Sequence, residues 1–114
     1  MRVLVCGGRG FSDWVLLGNT LDKFHLQSPF TVLIHGAAPG ADTLADEWAD
    51  TRGIEIHWFR ADWKKYGKAA GPIRNTRMLE EGRPDLVIAF KGGKGTRNMI
   101  DQARAANVAV EVIE

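Results

Sequence analysis

Two periods alternate along the chain. Short apolar runs at Arg2–Cys6, 31–35, 54–59, 86–90 and 108–113 are separated by stretches in which apolar residues recur every three or four positions. The runs predict strands, and the stretches between them predict helices. Ser12 or Asp13 opens the first helix, with Trp14, Leu17, Leu21 and Phe24 on one face, and Ser28-Pro29 closes it. The second helix places Ala41, Leu44, Ala45, Trp48 and Ala49 together and stops at Arg52-Gly53. Residues 60–71 have no clean period. Pro72 suits the first turn of a short helix over 72–79, with Gly82 beyond its end. The last helix turns Met99, Ile100 and Ala103 inward.

Strands separated by helices imply crossover units and a parallel sheet. The fold expected is α/β: a single Rossmann-like domain over 1–114, with a five-stranded, mostly parallel sheet of order 3-2-1-4-5 and helices on both faces. Right-handed crossovers bring every strand-to-helix turn to the carboxyl edge. In that order the topological switch falls between strands 1 and 4. Those strands run into Gly7-Gly8-Arg9-Gly10 and Gly92-Gly93-Lys94-Gly95.

Composition narrows the classes. The chain is 45% hydrophobic with a net charge of +1, so no whole-molecule field argues for binding duplex nucleic acid, and a nucleic-acid partner is disfavoured. The charge is unevenly spread, because residues 60–77 hold six bases against Asp62 alone. A solvated face explains most of these. Cys6 is the only cysteine and lies in the first strand, so no internal disulfide forms and the thiol reads as a small buried hydrophobe. The apolar run at the start is too short for a signal peptide, and nothing approaches the length of a membrane span. A soluble, cytoplasmic protein is expected.

The candidate chemistry gathers at the predicted strand ends. In the stretch 85–96, DLVIAFKGGKGT, a buried strand meets a glycine turn and a helix start, whose unpartnered amides favour an anion. Gly92, Gly93, Gly95 and Thr96 either seat a phosphate, with Lys94 and Arg97 adding charge, or serve a tight turn alone. The spacing is neither a Walker A loop nor GxGxxG. Gly7 and Gly8 allow the same two roles, and Arg9 has a fork suited to phosphate or carboxylate. In HGAAPGAD, Gly36 and Gly40 shape the turn. Asp42 either caps its helix, meets a ribose hydroxyl, or acts as a general base, which makes it the one catalytic candidate. His35 is either a hydrogen-bonded strand-end residue or a catalyst. No metal-ligand spacing or nucleophile motif appears, and no cofactor is implied. Over 63–77, Trp63 either plugs the sheet edge or joins Arg74 and Asn75 in holding a base and a phosphate, with the segment acting as a lid.

Taken in order, GGRGFSD, HGAAPGAD, W-x-x-Y-G-K-A-A-G-P-I-R-N-x-x-M and GGKGT resemble the YspA-like (YAcAr) branch of the SLOG superfamily. That superfamily also holds the LONELY GUY and lysine-decarboxylase-like proteins and the DNA-processing protein A domain. The resemblance implies binding of a nucleotide-derived small molecule, ADP-ribose- or NAD-like or a nucleoside monophosphate, a role as a sensor of that molecule, and a homodimer, since the superfamily commonly pairs. An N-glycosidase or nucleotide hydrolase is the rival expectation, and a single-strand DNA-binding module a third. The LONELY GUY motif PGGxGTxxE is matched by 91–99 with Lys91 in place of proline and Met99 in place of glutamate. The phosphate-gripping part is kept and the carboxylate is lost.

Overall fold

In the computed structural model, which describes residues 1–114, strands β1 (Arg2–Cys6), β2 (Val32–His35), β3 (Glu55–Trp58), β4 (Leu86–Ala89) and β5 (Ala109–Val112) form one sheet. Its order is β3-β2-β1-β4-β5, and every neighbouring pair is parallel. The expected strand order is therefore correct, and the sheet is wholly rather than mostly parallel. Every residue of β2 and β4 is buried, as the unbroken apolar runs require, while the edge strands β3 and β5 are largely open.

Side-chain alternation along β1 divides the core in two. Val3 and Val5 face α1 (Trp14–Gln27) and α2 (Ala41–Thr51), where Leu17, Leu21, Ala45 and Trp48 cover them. Leu4 and Cys6 face the opposite side, under α4 (Ala70–Gly82) and α5 (Lys94–Ala105), which contribute Met78, Met99, Ile100 and Ala103. Met99 is fully buried there, so the position that carries a glutamate in the LONELY GUY motif is a core residue of this chain. Each Leu, Ile or Met buried in this way contributes roughly 1.5–3 kcal/mol.

Three expectations need correction. Trp14 is 69% exposed and does not share the packed face of α1, because the first turn starts at the sheet edge, ahead of the face that begins at Leu17. The segment without a period is helical: α3 (Trp63–Tyr66) is capped by the Asp62 carboxylate, which accepts from the Lys65 amide at 3.1 Å, and a 3-10 turn at Gly67–Ala69 leads into α4. The helix expected over 72–79 therefore begins at Ala70 and includes Gly82. A Cβ on Gly82 would stand 3.2 Å from Ile34 Cδ1, so glycine here lets the helix lie close on β2, and Arg83 takes the left-handed position that ends it, with φ 49°.

Hydrogen bonding continues past the ends of β1 and β4. The Phe90 amide donates to the Cys6 carbonyl, and the Gly8 amide donates to the Lys91 carbonyl, both at 2.9 Å. The Gly8 carbonyl then accepts from the Ala41 amide at 3.2 Å. Gly8 thus joins the turns that follow β1, β2 and β4.

Candidate functional site

The three turns pack so closely that side chains are excluded between them. Gly40 has φ 81°, and a Cβ there would fall 2.2 Å from the Gly8 carbonyl oxygen. A Cβ on Gly7 would meet that of Ala41 at 2.6 Å, and one on Gly92 would come within 2.7 Å of the Gly8 amide. Gly40 thus lets backbone approach backbone, Gly7 makes room for the Ala41 and Phe90 side chains, and Gly92 for the Thr96 side chain and the Gly8 amide together. Around Gly93 and Gly95, by contrast, there is open space.

That space is a cleft of about 860 Å³ at the carboxyl edge, over the switch between β1 and β4. The size lies within the ~300–1,000 Å³ usual for small-molecule sites. Gly7, Gly8 and Arg9 line it from the first turn, and Gly93, Gly95 and Thr96 from the last. Asp42, Arg74 and Asn75 complete the walls. His35, Gly36, Gly40 and Gly92 do not reach it. Gly92 faces a neighbouring hollow of about 1030 Å³ toward β5.

The start of α5 supplies free donors. Gly93 occupies the cap position with no side-chain cap, and the first backbone bond across it runs from the Arg97 amide to the Gly93 carbonyl at 3.0 Å. The amides of Lys94, Gly95 and Thr96 are left without intrahelical partners. The Gly8 amide is already engaged with Lys91, so the available donors lie at 94–96. Four cationic side chains, Arg9, Lys68, Arg74 and Lys94, line the cleft against the single carboxyl of Asp42. A chain with a net charge of +1 therefore concentrates positive charge at one place.

Asp42 does not cap its helix; Gly40 holds that position. One carboxylate oxygen, Oδ2, accepts from the Gly36 amide at 3.1 Å and the Ala38 amide at 3.2 Å, so Asp42 shapes the turn before it. The other, Oδ1, has no protein partner, and the residue is only 6% exposed in the wall of the cleft. Burial raises its pKa above the usual carboxylate range; the Ala38 amide, His35, Arg74 and the Gly36 amide partly oppose that shift.

His35 lies behind this turn. Its Nδ1 accepts from the Ala37 amide at 2.9 Å, which places the ring proton on Nε2, 2.7 Å from Asp46 Oδ2. Both nitrogens are engaged away from the cleft, so of the two roles expected for His35 this geometry matches the hydrogen-bonded strand-end residue.

Arg74 and Asn75 form the far wall. Arg74 Nη1 donates to the Gly36 carbonyl at 2.6 Å and Nε to Asn75 Oδ1 at 3.0 Å, leaving Nη2 unengaged. Desolvation lowers the Arg74 pKa, with Asp42 opposing and Arg9 adding to the shift. The Asn75 amide nitrogen donates to the Gly95 carbonyl at 3.2 Å and to Asn98 Oδ1 at 3.1 Å. Both ends of the Asn75 amide are thus used inside the protein, and it fixes the first turn of α5 relative to Arg74. Cys6, Lys68 and Asn98 also line the cleft. The sequence reads Cys6 as a small buried hydrophobe and Lys68 as one base of a solvated stretch, and it does not single out Asn98, although Asn98 shares a helix face with Gly95 three positions earlier. No three His, Cys, Asp or Glu side chains cluster as metal ligands would, and no helix is long and apolar enough to cross a membrane.

A profile of the YspA, cpYpsA-related SLOG family matches residues 1–66, which carry the first two glycine turns and end within α3. The chain is 37% identical over 118 residues to the Gene 61 protein of Mycobacterium phage D29, covering 96% of this chain and 93% of the phage protein. The crystal structure of Acinetobacter baumannii MurG has a similar fold, with a TM-score of 0.57 at 18% identity. That match covers 98% of this chain and 33% of the MurG chain, so this chain spans about a third of MurG, and the likeness concerns fold alone. More than half of the chain, including GGRGFSD and HGAAPGAD, matches the family profile: it belongs to the YspA, cpYpsA-related SLOG family.

Proposed function

We propose that this protein binds a nucleotide or nucleotide-derived phosphate ligand, ADP-ribose- or NAD-like or a nucleoside monophosphate, in the cleft over β1 and β4. The observation that carries the proposal is the meeting of unpaired amides at 94–96 with Arg9, Arg74 and the free Oδ1 of Asp42 in one hollow. Amides at a helix start and a guanidinium fork suit phosphate oxygens. A carboxylate oxygen beside them accepts from ribose hydroxyls. In this arrangement Thr96 adds a hydroxyl donor, and Asn75 keeps the phosphate seat and Arg74 in register. Membership in the SLOG family supports a nucleotide-related ligand.

A thermal-shift panel of AMP, ADP-ribose, NAD and cyclic dinucleotides tests the proposal. A ligand at about 100 times its dissociation constant adds roughly 2.7 kcal/mol and raises the melting temperature by several degrees. Flat curves across the panel would overturn it for these ligands.

One observation favours a second reading, in which the bound ligand is hydrolysed at its N-glycosidic bond. Asp42 combines a raised pKa with an oxygen open to the cleft, as a general acid or base requires. Under this reading, free base and ribose 5-phosphate accumulate from AMP with the native protein and not with Asp42→Asn; equal rates remove Asp42 from any chemistry.

A further inference from the structure

Trp63 is 48% exposed, belongs to neither half of the core, and lines the cleft. An indole that plugged the sheet edge would be covered by apolar side chains; this one is covered on one side by a cation. The Arg9 guanidinium lies over the ring, 5.2 Å from its centre. The outer edge of the indole, Cη2, lies 3.4 Å from where a Cβ on Gly71 would stand, so the start of α4 passes close beneath it. The Asp62 cap holds the short helix that carries the ring. A flat aromatic surface is therefore fixed in the wall of a cationic cleft, with a flat, delocalised cation resting on it.

Resting on the nucleotide-binding function proposed above, we infer that Trp63 is the surface that takes the aromatic base of the ligand, and that Arg9 leaves the ring to meet phosphate when the base arrives. Magnitudes favour the exchange. Base stacking on an aromatic side chain is worth roughly 5- to 150-fold in affinity. An exposed cation over the same ring is worth roughly 2- to 5-fold. The displaced guanidinium is not stranded, because Arg9 lines the same cleft as the free amides at 94–96. The other exposed tryptophans do not offer this. Trp14 and Trp58 lie outside the cleft, and Trp58 stacks with Arg60 at the β3 edge. The selectivity assigned is for ligands with an aromatic base over the same sugar phosphate without one.

AMP and ribose 5-phosphate form a matched pair of probes, titrated calorimetrically into the wild-type protein, Trp63→Ala and Trp63→Phe, with melting curves showing that both variants fold. The expected result is a preference for AMP on the order of tenfold in wild type. That preference should disappear in Trp63→Ala, where ribose 5-phosphate binds roughly 2- to 5-fold more tightly because Arg9 has no ring to leave, and be largely kept in Trp63→Phe. Retention of the full preference by Trp63→Ala would overturn the inference. Binding of both probes without preference by the wild type would overturn it while leaving the phosphate site standing. Binding of neither would overturn both.

Discussion

Arg74 and Gly36 fit each other as cation and socket. The guanidinium donates to the Gly36 carbonyl at 2.6 Å and lies where a side chain on Gly36 would be, since a Cβ there would stand 2.6 Å from Arg74 Nη1. The turn after β2 thus aims an arginine from α4 into the cleft, although Gly36 itself never reaches it.

Gly36→Ala should separate folding from binding. The guanidinium is the free end of a flexible side chain and can swing aside, so the loss of stability is about 1–3 kcal/mol, the worth of a charge-assisted hydrogen bond. Affinity for AMP or ADP-ribose should fall on the order of tenfold. Unfolding in urea and calorimetric titration read the two effects; unchanged affinity would mean that Arg74 does not need its socket.

Glycines at two places in the site should answer substitution in opposite directions. Gly40→Ala drives a Cβ against the Gly8 carbonyl in a backbone conformation that L side chains rarely adopt, and should cost about 2–5 kcal/mol. Gly95→Ala meets nothing in the protein and lies in the first turn of α5, where alanine is the better helix former by about 0.5–1 kcal/mol. It should melt higher yet bind less tightly, because the added methyl faces the ligand space. A Gly95→Ala protein that binds as well as wild type would move the ligand away from this turn.

Asp42 imposes a pH dependence of known sign. Burial raises its pKa above the ordinary 3.8, so between that value and the native pKa the folded protein holds a proton that the unfolded chain has released. Stability attributable to Asp42 is therefore greatest below 3.8 and declines as pH rises through the native value. Asp42→Asn lacks this titration. Its unfolding free energy relative to wild type should move in the variant's favour as pH rises above 3.8. Parallel curves for the two proteins would show that the carboxyl titrates normally.

Cys6 lines the cleft and is chemically quiet. Burial first, and the nearby Asp42 charge second, push its pKa from 9.0 to about 12, with Arg74 opposing. At about pH 8 the thiolate fraction is then near one in ten thousand. Iodoacetamide should leave the folded protein unlabelled and react on unfolding; rapid labelling of the native protein would show an exposed, ionised thiol instead.

How much of this was legible in the sequence follows from which physics is local. Runs such as VLIH and LVIA announce buried parallel strands by themselves, and glycines after β1 and β4 mark the switch point from the strand order alone. What a glycine is for is not local. Gly40, Gly92 and Gly95 look alike in sequence, yet two make room for another segment of backbone and one faces open space. Asp42 at the head of a helix suggests a cap, and only the fold shows its oxygen reaching back to the Gly36 and Ala38 amides. Residues 60–71 hide two short helical turns because neither is long enough to show a period. Trp14 has the right spacing and the wrong height above the sheet.

The walls of the cleft are drawn from residue 6 through residue 98, so no contiguous fragment carries a usable portion of it. A chain clipped in the middle would forfeit the entire recess at once. Occupancy should accordingly slow hydrogen exchange across all three glycine bends together, and a protease should find a loaded molecule uniformly harder to open.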